Sequence, residues 1–437
     1  MKSVALHNLG CKVNGYEMDV MQQMLQEKGY NIVPFDEAAD IYIVNTCTVT
    51  NIADRKSRQM LHRAKKNNPH AIVVAVGCYV QTGADAVKKD DAIDLAIGNN
   101  CKKDIVSVLE EYLRQQESET VTHIIDINHT GEYEEMKLTK TAGHTRAYIK
   151  IQDGCNQFCS YCIIPYARGR VRSRSEEDIL SEVRGIVEAG YQEIVLTGIH
   201  ISSYGIDRGD SELLQLLSKL HDIDGLRRIR LGSLEPRIIT EEFVEKLSGM
   251  YKICPHFHLS LQSGCDAVLA RMNRRYTTGE YFRTTQILRK YYSDPAITTD
   301  VIVGFPGESE EEFHATQEFV SKVQFSEMHI FKYSRRQGTV AADMENQLTE
   351  AQKARRSALL MEAEKQMSRD YRKNFIGRGA EVLFEEKKEI DGEMYWVGHT
   401  PQYVKAAKRS DGTEDLCNRI VRGTIAGFLD EDIMLLK

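Results

Sequence analysis

The 437-residue sequence has no apolar run approaching the roughly 20 residues needed to span a bilayer. Its opening, MKSVALHNLG, is too short and too polar for a secretory signal. A cytoplasmic protein with no membrane partner is therefore expected. Basic charge is also in deficit: 57 Lys and Arg face 64 Asp and Glu, a net charge of −7. That balance argues against a chain that coats nucleic acid indiscriminately, while permitting segregated basic surfaces. A disulfide framework is not expected either, because ten cysteines in a reducing compartment read as metal ligands and buried thiols. What is present is 42% hydrophobic and 28% charged residues, the mixture of a globular protein. The length suggests about three domains.

The stretch GCNQFCSYCIIPYARGR places Cys155, Cys159 and Cys162 in CxxxCxxC spacing. Three thiolates so arranged can wrap three irons of a 4Fe-4S cluster and leave the fourth iron open to an outside group. A zinc site would need a second CxxC or a His pair, and neither follows. Three ordinary buried thiols are the alternative. The spacing resembles the radical S-adenosylmethionine (SAM) enzymes, which implies that the open iron holds the amino and carboxylate groups of SAM.

Three β-branched runs nearer the amino terminus each end in a cysteine: SVALHNLGC at Cys11, IYIVNTC at Cys47 and AIVVAVGC at Cys78. Helical patterns separate them, so the segment predicts a parallel α/β sheet with ligand sites at the carboxyl ends of its strands. If the three strands are neighbours, their thiols form a second three-cysteine site, also short of a fourth ligand. Gly10 and Gly77 would let the backbone pass close to a bulky cluster. The alternative is that cysteine is common among buried residues. Cys101 is left outside this site, because it lies beyond its strand beside Lys102 and Lys103. As a ligand it would close the cluster.

From YIKIQ to EMHIFKY, six strand patterns alternate with helical ones and predict an open parallel barrel with its sites at the strand carboxyl ends. Small or polar residues there are candidates to bind SAM: Thr197, Gly198, Ser233, Glu235, Gln262, Ser263 and Gly304. Glu235 and Gln262 could bond ribose hydroxyls or the methionine amine. Tyr161, inside the cysteine loop, could lie against the adenine. Ordinary loop chemistry and core packing are the competing explanations. After a charged helical stretch the pattern turns to five short strands, which predict a small β-barrel. There Tyr395, Trp396, His399 and Tyr403 could stack on bases or fill the core, and Lys405, Lys408 and Arg409 could meet phosphate.

The segments LGCKVNGYE, CSYCIIPYARGRVRSR and HFHLSLQSGCDAVLARMNRRYT resemble the radical SAM methylthiotransferases, and within that family the MtaB group. The resemblance covers the whole chain. It implies an α/β protein with an amino-terminal parallel α/β domain (1–135), a central radical SAM partial (βα)6 barrel (141–370) and a small carboxy-terminal TRAM β-barrel (371–437). It also implies two 4Fe-4S clusters, the auxiliary one on Cys11, Cys47 and Cys78 and the SAM cluster on Cys155, Cys159 and Cys162. The implied activity is transfer of a methylthio group to threonylcarbamoyladenosine at tRNA position 37, with SAM serving both as methyl donor and as radical source. The implied partners are the tRNA anticodon loop and an external electron donor, and a monomer is expected. Arg168, Arg170, Arg172 and Arg174 are expected to hold RNA phosphate or the substrate carboxylate. No acid–base residue is assigned as catalytic. Competing functions are the same chemistry on isopentenyladenosine tRNA or a ribosomal protein, a non-catalytic iron–sulfur RNA-binding protein, and a radical SAM enzyme whose auxiliary site is only structural.

Overall fold

The computed structural model describes residues 2–115, 120–139 and 145–437. The first sheet contains β1 (Ser3–Asn8), β2 (Asn31–Val33), β3 (Ile41–Thr46), β4 (Ile72–Gly77), β5 (Leu95–Ile97) and β6 (Val121–His123), in the order β2-β1-β3-β4-β5-β6. Every neighbouring pair is parallel. All residues of β3 are buried, as expected of a central strand covered on both faces. Helices α1 (Lys12–Glu27) and α2 (Asn51–Asn67) follow β1 and β3, and the Thr50 side chain caps α2 by accepting from the Ala53 amide.

Seven strands follow: β7 (Arg146–Asp153), β8 (Arg172–Ser173), β9 (Glu193–Gly198), β10 (Arg228–Leu231), β11 (His256–His258), β12 (Ala296–Val303) and β13 (Glu327–Lys332). Two parallel groups, β10-β9-β7 and β11-β12-β13, are joined by the parallel bridges Ile229–Ile253 and Leu234–Leu259. The short β8 pairs antiparallel with β7. The result is the expected partial barrel of six parallel strands. Along β7, alternate residues Ala147, Ile149 and Ile151 enter the apolar core. The intervening residues face α1, where Gly15 lies against Tyr148 and the Glu17 carboxylate meets the Lys150 ammonium at 2.7 Å. The first domain thus reaches the other face of β7.

The final strands, β14 (Gly379–Ile390), β15 (Glu393–His399), β16 (Lys405–Arg409), β17 (Ile420–Phe428) and β18 (Met434–Leu436), close a small barrel. Trp396 packs in its core with Phe384, Ile425 and Met434, and Tyr395 is buried with Val397 and Ile433. For these two aromatics, core packing prevails over base stacking. His399 and Tyr403 instead form the seam with the six-stranded barrel. Arg228 donates to the carbonyls of Glu381 and His399, and Arg230 to that of Pro401, at 2.9–3.1 Å. The Tyr403 ring stacks on His399 and His256 and has the Arg146 and Arg230 guanidiniums 5.0 and 4.7 Å from its centroid. Among the described residues no helix is long and apolar enough to cross a membrane.

One buried carboxyl in α1 gives the fold a pH dependence. Asp19 is buried, one of its oxygens has no hydrogen-bond partner, and burial pushes its pKa up to about 7. A folded-state pKa above the unfolded value means that the folded state holds the proton more tightly. The group is therefore harmless below about pH 4 and destabilises progressively as pH rises to about 7. Asp19→Asn is expected to raise the melting temperature at pH 8 by several degrees and to leave it nearly unchanged at pH 4. Thermal denaturation at the two pH values checks this.

Candidate active site

The strands that carry Cys11, Cys47 and Cys78 are β1, β3 and β4, three consecutive neighbours in the first sheet. Cys47 and Cys78 directly follow their strands, and Cys11 immediately precedes α1. The three thiols are mutual electrostatic neighbours. Gly10 and Gly77 have φ of +106° and +97°, a region that favours glycine. A Cβ on Gly10 would stand 3.1 Å from the Cys47 sulfur, and one on Gly77 would stand 2.6 Å from Asn45 Oδ1. Gly10 thereby keeps space beside the Cys47 thiol, and Gly77 lets β4 pass close to β3 just before Cys78. Donors also aim at sulfur: Arg168 Nε lies 3.3 Å and Asn99 Nδ2 3.5 Å from Cys78 Sγ. Three converging soft donors, with N–H groups directed at one sulfur, fit an iron–sulfur cluster. Cys101 lies apart, at the start of the turn Lys102–Asp104, with Glu134, Asp104 and Lys103 as its charged neighbours.

Arg168, Arg172 and Arg174 correct an expectation. All three are buried, at 1%, 1% and 0% exposure, and so do not present guanidinium to RNA. Arg168 Nη1 meets Glu17 at 2.7 Å and Asp153 at 3.1 Å, and its Nη2 donates to Asn14 Oδ1 at 2.6 Å. Lys150 and Lys102 complete this buried charge network around Glu17. Burial alone would raise the Glu17 carboxyl, but Arg168, Lys102 and Lys150 outweigh it and hold the pKa well below the usual carboxylate range. Arg172 lies 3.9 Å from Asp153, and Arg174 pairs with Glu182, which also accepts from the Tyr16 hydroxyl. An unpaired buried arginine would be too unfavourable to persist, so each draws an acid inward. Only Arg170 of this group is exposed, with its guanidinium 4.4 Å from the Phe158 ring centroid.

Cys155, Cys159 and Cys162 line a cavity of about 340 Å³ at the carboxyl ends of the barrel strands. Val49 and Thr50, in the loop just after Cys47, line it from the first domain. The Gln157 amide lies 3.5 Å from Cys155 Sγ, and Arg274 Nη1 lies 3.3 Å from Cys159 Sγ. Burial raises the thiol pKa values, to about 11 for Cys155 and about 12 for Cys162. Metal binding here must therefore release protons. This donor set also fits a cluster held by three thiolates.

Of the residues expected to hold SAM, Tyr161 and Gln262 line the cavity. Glu235 stands beside it, held by Arg237 at 2.6 Å and 3.7 Å from the cavity residue His200. Gly198 ends β9 against the carbonyl of Gln152, Thr197 is buried, and Ser233 is exposed. Two expectations are corrected. Ser263 is fully buried, with its hydroxyl 3.3 Å from that of Thr316, and Gly304 is covered by the Lys353 side chain while its amide donates to Glu308. Both are occupied in packing helices onto the barrel. In the small barrel Lys405 lines the seam cavity, Lys408 is half-buried, and the exposed Arg409 pairs with Glu393.

Sequence reasoning missed Asn14, Glu17, Asn99, Asp153 and Arg274, which organise the thiols, and Asp300 and Phe331 in the cavity wall. Glu17 did leave a signal. It falls on the helical stripe with Val13, Val20 and Met21, and an acid on an apolar face requires a buried partner.

Residues 149–320 match the model of the radical SAM superfamily, and residues 3–98 match that of the uncharacterized protein family UPF0004. The chain is 41% identical over 432 residues to the threonylcarbamoyladenosine tRNA methylthiotransferase MtaB of Bacillus subtilis (strain 168), covering 98% of this chain and 95% of that one. It is 34% identical over 429 residues to the tRNA-2-methylthio-N(6)-dimethylallyladenosine synthase of Carboxydothermus hydrogenoformans, covering 96% of each. Among solved structures, the radical SAM methyltransferase TsrM from Kitasatospora setae superposes with a TM-score of 0.57 at 15% identity, over 76% of this chain and 73% of that one. At that identity the likeness is one of fold.

Proposed function

The chain belongs to the radical SAM tRNA methylthiotransferases, and on that premise we propose that it converts N6-threonylcarbamoyladenosine at position 37 of tRNA to the 2-methylthio derivative. The observation that supports this reading is a second set of three thiols at the ends of adjacent strands of the first sheet, with the loop after one of them, at Val49 and Thr50, lining the cavity that holds Cys155, Cys159 and Cys162. Cys155, Cys159 and Cys162 would hold the cluster that binds SAM, and Cys11, Cys47 and Cys78 the auxiliary cluster. When bound, these groups supply the one-electron and sulfur chemistry that replaces an aromatic C–H by C–S, which side-chain acids and bases do not provide.

The residues of the chain bind, orient and enclose. Arg274 and the Gln157 amide direct N–H groups at the first triad, as Arg168 and Asn99 do at the second, and such contacts stabilise thiolate. Tyr161 and Gln262 in the cavity wall, and Glu235 beside it, are the candidates to contact the nucleoside and methionine portions of SAM. Ile163, Ile199, Ile302 and Phe331 supply an apolar wall that limits water around reactive species. Arg170, Lys408 and Arg409 are the candidates for RNA phosphate. A cytoplasmic location, an external electron donor and a monomeric state complete the reading.

Mass spectrometry of tRNA nucleosides from cells with and without the gene tests it. The 2-methylthio form of threonylcarbamoyladenosine is expected to vanish and its precursor to persist. A change confined to isopentenyladenosine derivatives would overturn the substrate assignment. Arg170→Ala is expected to weaken binding to the anticodon stem-loop by several-fold and to flatten its salt dependence. Titration at two salt concentrations reads both effects.

A further inference from the structure

The segment that follows β13 touches both thiol-bearing regions. Ser334 completes the stretch of cavity wall that Phe331, Lys332 and Tyr333 begin. Further along, the Ala341 amide donates at 2.7 Å to the carbonyl of Ser160, between Cys159 and Cys162. Between these two points the segment meets the first domain. The Ser334 hydroxyl accepts from the Asn51 amide at 3.1 Å, and the Arg335 carbonyl accepts from Asn51 Nδ2 at 2.8 Å. Arg336 then reaches across the junction.

Arg336 is buried, and a buried guanidinium needs acceptors. They come from the loop after Cys47 and the helix that it opens. Arg336 Nη2 donates to Thr48 Oγ1 at 2.7 Å, and its Nη1 donates to Asn51 Oδ1 at 2.8 Å and to Asp54 Oδ2 at 2.5 Å. The Thr48 hydroxyl donates to Asp54 Oδ1 at 2.7 Å and lies 3.3 Å from that of Thr82, which donates to the Cys78 carbonyl. One guanidinium thus ties the barrel to the segments that follow two of the auxiliary thiols, and its contacts bracket Val49 and Thr50 in the cavity wall. Docking of the two domains has a separate basis, because Glu17 of α1 holds Lys150 of β7 and Arg168.

We propose that Arg336 is a positioning residue: through Thr48, Asn51 and Asp54 it holds the loop after Cys47 in the cavity wall, and so keeps cleavage of SAM coupled to transfer of the methylthio group. The inference rests on the reading above that the auxiliary thiols serve the reaction in this cavity. Such a reaction needs the substrate aligned with both regions at once, and a misplacement of about 1 Å can cost on the order of a hundred-fold in rate. The guanidinium suits the task because its planar fork serves three acceptors in fixed directions, which an ammonium does not. Without Arg336 the domains stay docked through α1 and β7, while the loop loses its charged anchor. SAM is then still cleaved, but fewer cleavages end in product.

The test uses reconstituted full-length wild type, Arg336→Gln, Arg336→Lys and Asn51→Ala. Deoxyadenosine counts the cleavages of SAM and methylthio nucleoside counts the completed transfers, so their ratio measures coupling. Iron and sulfide content and amide hydrogen exchange of residues 47–57 are measured on the same samples. Arg336→Gln is expected to keep its iron, to raise the ratio of deoxyadenosine to product by roughly 10-fold or more, and to speed exchange in residues 47–57 by a similar factor. Arg336→Lys, which can keep Asp54 but not all three acceptors, is expected to fall between it and wild type. Asn51→Ala removes two contacts while leaving Arg336 paired with Asp54, and is expected to raise the ratio several-fold; it decides the matter if Arg336→Gln fails to fold. A wild-type ratio in these variants, wild-type exchange in residues 47–57, or equal loss of deoxyadenosine and product in a variant that keeps its iron overturns the proposal. The ratio is read on whichever RNA the wild type modifies, threonylcarbamoyl or isopentenyl, so an error in the substrate reading shows separately.

Discussion

Alanine at Cys11, Cys47 or Cys78 is expected to abolish the methylthio product while leaving reductive cleavage of SAM to deoxyadenosine in place. Alanine at Cys155, Cys159 or Cys162 is expected to abolish both, with at least a hundred-fold loss of deoxyadenosine, on the order of 3 kcal/mol of barrier or more. The separation follows from the architecture. One triad is carried by β1, β3 and β4 of the first sheet and the other by the loop after β7, so neither uses a residue of the other. Each class of variant should retain about four of roughly eight irons per chain. Iron and sulfide counts together with chromatographic assay of deoxyadenosine decide the matter. Loss of deoxyadenosine in all six variants would show that the two sites do not function independently.

Arg168→Met is expected to unfold more readily by about 3 kcal/mol and to lose the auxiliary metal preferentially. Removing the guanidinium takes partners from Glu17, Asp153 and Asn14 and strips an N–H donor from Cys78. Glu17 and Asp153 keep Lys150, which places the destabilisation at the lower end for a broken buried pair. Loss of a hydrogen-bond donor to a metal ligand typically weakens metal affinity 10- to 100-fold. Arg168→Lys retains charge but cannot serve three partners at once, so it should fall between the two. Denaturant unfolding gives the first quantity, and competition with an iron chelator the second. A methionine variant that unfolds and holds iron like wild type would refute this role.

Arg168 also marks the limit of what the sequence disclosed. Four arginines trailing Cys162 read naturally as a basic surface, because a linear pattern of charge carries no information about the acids that reach it from elsewhere. Glu17 lies 151 residues away from Arg168 along the chain, and Glu182 comes from a helix packed against Arg174. Ser263 and Gly304 were misplaced for a related reason. Strand-end position was legible, but which side of the strand end a helix would cover was not. Tyr161 and Gln262 could be read because they lie within or opposite the cysteine loop, where the cavity forms.

The sequence by itself determined the α/β fold with its six-stranded parallel barrel. Periodicity of apolar residues and strand-terminal glycines are local signals, and parallel strands joined by helices have few ways to assemble. It also determined the two sets of three cysteines, because ligand spacing and strand-end position are written along the chain. Only the tertiary structure decided that β1, β3 and β4 are adjacent, that the loop after Cys47 lines the cavity of the other three cysteines, and that three arginines are interior. Those outcomes depend on which charges meet after packing, and the energy of burying a charge is set by partners that sequence distance does not predict.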